Sequence, residues 1–188
     1  MTKIRDWSHN REMWAQVLKK QTGKDLNYWK ARMKKKRFAD VRRLKEWLDG
    51  QDITGYAEQL LVMEQFGYPD FLSSSADELI DRQYSDRQHL RPIYKAIVAS
   101  TQTFGEIVVQ ARKGYVSLLT PKRTFARIKA TTKDRIDLGL RLEGLQPRGR
   151  LKPSRIHETM PVQVCLMELK DLDHQVVKWL RQAYEENL

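Results

Sequence analysis

The chain has 188 residues, of which 40% are hydrophobic and 31% charged, and its formal net charge is +11. This mixture excludes a disordered chain, a collagen-like repeat and a disulfide scaffold. No apolar run approaches the ~20 residues that a membrane span needs.

Residues 1–72 read as all-helical. Ser8 is placed to cap a first helix with Met13, Trp14, Val17 and Leu18 on one face, and Gly23 ends it. Asp25 caps a second helix, with Leu26, Trp29 and Met33 at helical spacing. A third runs from about Ala39 to Leu48, burying Val41, Leu44, Trp47 and Leu48, and Gly50 stops it. Thr54 caps a fourth, with Tyr56, Leu60, Met63 and Phe66 inward, before the break at Gly67–Pro69. Short amphipathic helices of this kind make a bundle. Four of the five tryptophans lie here and are read as packing, because a small bundle needs large apolar side chains.

Residues 73–76 read as a linker within the loop Asp70–Ala76, with Ser75 able to cap the next helix. Asp77–Gln83 and Asp86–Thr103 then look helical, the second starting near Pro92. After Gly105 the apolar period changes to two. Strands are expected at Ile107–Ala111, Tyr115–Leu119, Thr124–Ala130, Ile136–Leu142 and Val162–Leu169. Residues 144–155 read as a loop, and Asp171 as the cap of a final helix carrying Val176, Trp179 and Leu180. The fold class is therefore α+β: a small helical bundle over residues 1–72, then an antiparallel sheet flanked by helices over 77–188.

Two resemblances fit this order. Thr22-Gly23-Lys24, Trp29, Glu46-Trp47-Leu48 and Gly55-Tyr56-Ala57 resemble a small helical bacterial family, domain of unknown function 4287. Its members often carry a His-Gly…His-Gly element where this chain has Gly50-Gln51-Asp52-Ile53-Thr54-Gly55. Phe104-Gly105, Lys113 with Tyr115, Phe125-Ala126, Leu138-Gly139-Leu140, Leu172-Asp173, Trp179-Leu180 and Ala183-Tyr184 resemble domain of unknown function 5655. Both resemblances imply an architecture and neither implies a reaction.

Positive charge is segregated. Residues 30–45 hold nine basic residues against one acidic, and residues 112–155 hold thirteen against three, so the remainder is net negative. Such fields suit a polyphosphate partner. The first cluster includes Lys34, Lys35, Lys36, Arg37, Arg42 and Arg43; the run Lys34–Arg37 also suits the negative end of a helix. In the second, Arg127 and Lys129 share one strand face with Phe125, while Arg135 and Arg141 lie opposite the apolar row Ile136–Leu142. Cations beside an exposed aromatic would hold backbone phosphate and stack a base, although Phe125, next to Ala126, is itself read as core. Arg148, Arg150, Lys152 and Arg155 extend the patch.

Catalytic signatures are mostly missing. Gly23-Lys24 lacks the upstream glycine of a phosphate loop, and no G-x-S-x-G, H-E-x-x-H or paired C-x-x-C occurs. His9, His89, His157 and His174 are scattered, and His157 and Cys165 have no recognised metal spacing. Glu168-Leu169-Lys170 matches the E-x-K element of metal-dependent nucleases, with Glu143 or Asp137 as partner acid. The favoured reading is a non-catalytic nucleic-acid-binding protein without a cofactor, with RNA slightly ahead of DNA. The alternatives are a module for an acidic protein partner or a small anionic ligand, and a Mg²⁺-dependent nuclease. The single cysteine, Cys165, suggests a reducing compartment. The start of the chain has no apolar run long enough for a signal peptide, so a cytoplasmic protein without membrane association is expected.

Overall fold

A computed structural model of the chain describes the backbone of residues 2–5 and 7–188 and the side chains of residues 9–188. It divides into two units, Asp6–Ser74 and a second made of Met1–Arg5 with Ser75–Leu188.

The first unit is helical: α1 (Trp7–Thr22), α2 (Leu26–Lys36), α3 (Val41–Asp49), α4 (Gly55–Phe66) and a single turn, α5 (Asp70–Ser73), where the sequence suggests only loop. Side-chain chemistry sets the helix starts. The Asp25 carboxylate accepts the Tyr28 N–H, and Asp40 accepts that of Arg43. Thr54 occupies the cap position of α4 without making a side-chain cap bond. Ser8, expected to cap the first helix, lies inside α1, which already begins at Trp7. Leu18, Trp29, Met33, Leu44, Leu48, Ile53 and Leu60 form the core. The Trp29 indole N–H donates to Thr22 Oγ1 at 3.0 Å, and its ring meets Trp47 edge-on at 5.9 Å. Met13, Val17, Val41, Tyr56 and Phe66, expected inward, are exposed instead. A bundle of such short helices has too little interior to cover every apolar side chain.

The second unit is a seven-stranded sheet with helices. The strands are β1 (Thr2–Arg5), β2 (Ile107–Ala111), β3 (Val116–Leu119), β4 (Thr124–Thr132), β5 (Arg135–Leu140), β6 (Leu151–Pro153) and β7 (Val162–Leu166), in the order β1-β2-β3-β4-β5-β7-β6. Six strands pair antiparallel, and β1 joins β2 in parallel, Thr2 opposite Ile107. Two of these strands differ from the sequence expectation. Residues 2–5 lie in the stretch read as helical, and β6 lies in the stretch read as loop. Neither is long enough to show a repeat, and β6 ends on a proline that an edge strand tolerates.

The helices are α6 (Ala76–Tyr84), α7 (Arg91–Ser100) and α8 (His174–Glu185). Ser75 and Glu78 form a reciprocal capping box at α6. Pro92 falls in the first turn of α7, behind a short 3-10 turn at Gln88–Leu90, as its missing N–H requires. Asp173, rather than Asp171, caps α8; the Asp171 carboxylate instead accepts the N–H groups of Met167 and Glu168. The helices add Leu79, Ile80, Ile93, Ile97, Val176 and Leu180 to the core. No helix among the described residues is long and apolar enough to cross a membrane.

Candidate nucleic-acid interface

The sheet register sorts residues onto two sides. Directly paired residues share a side, and neighbours along a strand alternate. One row runs Ala111, Val116, Ile128, Leu138, Val164 and Leu151 across β2, β3, β4, β5, β7 and β6. All six are apolar and buried. The adjacent row on the opposite side runs Gln110, Ser117, Arg127, Gly139, Gln163 and Lys152. Five of its six members are polar, and the sixth is glycine. Lys129, Asp137 and Cys165 follow in the next row on that polar side. The expected alternation, with Ala126 and Ile128 inward and the cations of β4 and β5 opposite, is what the register shows.

Phe125 takes no part in the polar side. The β3–β4 register shifts at Leu118/Leu119, so that Leu118 pairs with Ala126 and Leu119 with Thr124. Phe125 is the extra residue of this bulge, released from strict alternation. It is fully buried, edge-on to Tyr184 of α8 at 5.5 Å, which is the core reading. Alternation from Ser117 places Tyr115 on the polar side instead. The Arg127 guanidinium sits 4.9 Å from the Tyr115 ring centroid, a cation–π contact that pre-orients both groups. Sequence reasoning misses Tyr115 as the aromatic of this surface. Its spacing of two from Ser117 is the available signal.

The cations here are set at graded depth. Lys152 is exposed, while Arg127, Lys129 and Arg135 are half-buried over the buried Ser117, Asp137 and Gln163. Arg135 holds Asp137 in a fork, with contacts of 3.0 and 3.3 Å. The acid is thus neutralised from within the same strand. Burial and the neighbouring Asp137 push the Cys165 thiol up from its ordinary value, so it is a poor nucleophile. A segment at 154–161 closes one end: the Arg155 N–H donates to Gln163 Oε1 at 2.8 Å, and Ile156 and Met160 lie over Gly139.

The other expected site residues are dispersed. Arg148 is exposed in a turn. Arg150 is committed to α8, bonding Asp173 and donating to the Asp171 carbonyl at 2.6 Å. In the helical unit, Lys34, Lys35, Lys36 and Arg37 close α2 as exposed side chains, and Lys36 lies over the Trp47 ring at 5.6 Å. Arg42 pairs with Glu46 along α3, and Arg43 is exposed. Of the E-x-K reading, Lys170 and Glu168 pair with each other at 2.7 Å on an exposed turn, while the candidate partner acids Asp137 and Glu143 face Arg135 and Arg141. His157 bonds Thr159 within its own loop. Among the described residues no three His, Cys, Asp or Glu side chains gather as a metal site.

Searches of curated proteins and of solved structures returned no match. The family described as Domain of unknown function (DUF5655) matches residues 80–187, a span holding every strand of the sheet except β1. This chain belongs to the DUF5655 family.

Proposed function

We propose that this protein is a non-catalytic nucleic-acid-binding protein that favours RNA over DNA. The observation that carries the reading is the polar row of the sheet, where Arg127, Lys129 and Lys152 share one side with Tyr115. Half-buried cations with fixed stems meet phosphate at a lower ordering cost than fully mobile lysines. A tyrosine held by Arg127 offers a ring on which an unpaired base stacks, and single-stranded RNA presents such bases. Lys34–Arg37 and Arg42–Arg43 supply a second, sequence-independent attraction from the helical unit.

We propose further that the helical unit is related to domain of unknown function 4287; three residues of that resemblance are in contact, Thr22 accepting from the Trp29 indole and Trp29 packing on Trp47. A cytoplasmic location accompanies the proposal, resting on the single cysteine.

Fluorescence anisotropy with labelled single-stranded RNA, duplex RNA and duplex DNA across a salt series tests the function. Single-stranded RNA is expected to bind tightest and to weaken steeply with salt. Arg127→Glu with Lys129→Glu is expected to reduce affinity by about tenfold or more. Absence of binding to all three near physiological salt overturns the proposal and turns attention to acidic protein partners. Mg²⁺-dependent cleavage of the probe, lost in Glu168→Gln, replaces it with the nuclease.

A further inference from the structure

The helical unit contains a groove of about 610 Å³ between α2 and the end of α4. One wall is a stripe of α2, where Lys30, Lys34 and Arg37 follow at intervals of four and three and so share a face. Phe38 lines it as a half-buried apolar side chain, Met33 is fully buried at its edge, and Glu64 and Gln65 line it from α4. Its volume lies within the usual range for a small-molecule site, about 300–1,000 Å³.

The charge of the groove is unbalanced. Glu64 is already engaged by Lys30 at 2.7 Å, by Arg11 at 2.6 Å and by the Tyr68 hydroxyl. Lys34 and Arg37 have no acidic partner among the described residues. The C-terminal end of α2 contributes only about half a negative charge, which two free cations outweigh. The groove therefore favours an anion, and the half-buried Phe38 favours one with a flat or apolar body.

Arg37 adds an independent sign. It closes α2 in the left-handed region, with φ of 49°. That position ordinarily takes glycine, which carries no penalty there. Arginine is the poorer choice for the backbone, and what it adds is a cation on the rim of this groove. Strain of this kind is characteristic of functional positions.

We infer that this groove binds a nucleotide unit, with the phosphate on Lys34 and Arg37 and the base against Phe38. The unit is either a free nucleoside monophosphate or one nucleotide of a single strand. The site is built entirely from the helical unit and does not depend on the sheet.

Saturation-transfer NMR and calorimetry on the full chain test this, with AMP, UMP, adenosine and inorganic phosphate as probes. AMP or UMP is expected to bind with Kd below about 1 mM, and adenosine and phosphate at least about tenfold more weakly. Arg37→Gly relieves the backbone while deleting the cation. It is expected to weaken binding about three- to tenfold without lowering the melting temperature. Lys34→Gln is expected to do the same. Nucleotides that bind no better than phosphate, or binding that survives both substitutions, overturns the site. An oligonucleotide that binds while AMP and UMP do not leaves the sheet reading standing and removes this one. Retention of AMP binding in Arg127→Glu with Lys129→Glu, with loss of RNA binding, separates the two sites.

Discussion

Arg37 and Gly139 stand at opposite ends of the conformational choices available to one residue. Arg37 holds a φ that a side chain disfavours, so Arg37→Gly is expected to raise stability by about 0.5–1 kcal/mol, read as a higher denaturation midpoint. At Gly139 the constraint is space. A Cβ there would lie 2.9 Å from Ile156 Cδ1 and 3.3 Å from Met160 Cβ. Gly139→Ala must displace the 154–161 segment or strain the strand, at a cost of about 1–3 kcal/mol. Denaturant titration checks the cost, and proteolysis near Ile156 checks the displacement. Glu64 illustrates a charge held against its surroundings. Burial raises its pKa, but hydrogen bonds from Lys30, Tyr68 and Arg11 overcome burial and leave it below the ordinary value. A carboxylate depressed in the folded state contributes stability at neutral pH and loses it as pH falls below the unfolded value of about 4.3. The difference in melting temperature between the parent and Glu64→Gln is therefore expected to shrink from pH 7 toward pH 3. Tyr68, which burial and Glu64 push up to about 12, stays a hydroxyl donor throughout that range.

Among the elements, those with strong periodicity are legible in the sequence and those set by pairing are not. The alternation Arg135–Leu142 discloses β5 and assigns its two sides, and Ser75 with Glu78 marks the start of α6. Thr2–Arg5 and Leu151–Pro153 are strands because neighbouring strands offer them a free edge, and four or three residues carry no repeat that reveals it. Phe125 reads as core from its place beside Ala126, yet the bulge that puts it there leaves no mark in composition. Arg150 shows the limit of reading charge alone: as a cation in a basic loop it resembles a ligand-binding residue, whereas its partners Asp171 and Asp173 tie that loop to α8. Arg150→Ala is accordingly expected to lower thermal stability by about 1 kcal/mol while changing RNA affinity less than Arg127→Ala does; paired melting and anisotropy measurements distinguish these effects.

For the whole molecule, the segregation of charge predicts how binding responds to salt. If Arg127, Lys129 and Lys152 each displace one counterion from a single strand, the slope of log affinity against log salt is roughly −2 from the sheet alone, since each contact contributes about −0.7. Replacing Arg127 and Lys129 is expected to make the slope shallower by more than one, and replacing Lys34 and Arg37 to change it separately. A slope unmoved by the first pair would show that the sheet does not carry the phosphate contacts.

The parallel pairing of β1 with β2 also has a consequence in time. Thr2 is made more than a hundred residues before its partner Ile107. At about 5–20 residues per second, β1 waits about 5–20 seconds for β2 to be made, and every helix of the bundle is synthesised within that interval. The bundle can therefore complete its core during synthesis, but the outermost strand of the sheet can be placed only afterwards. Closing that long interval is the slow, topologically distant step that contact order penalises.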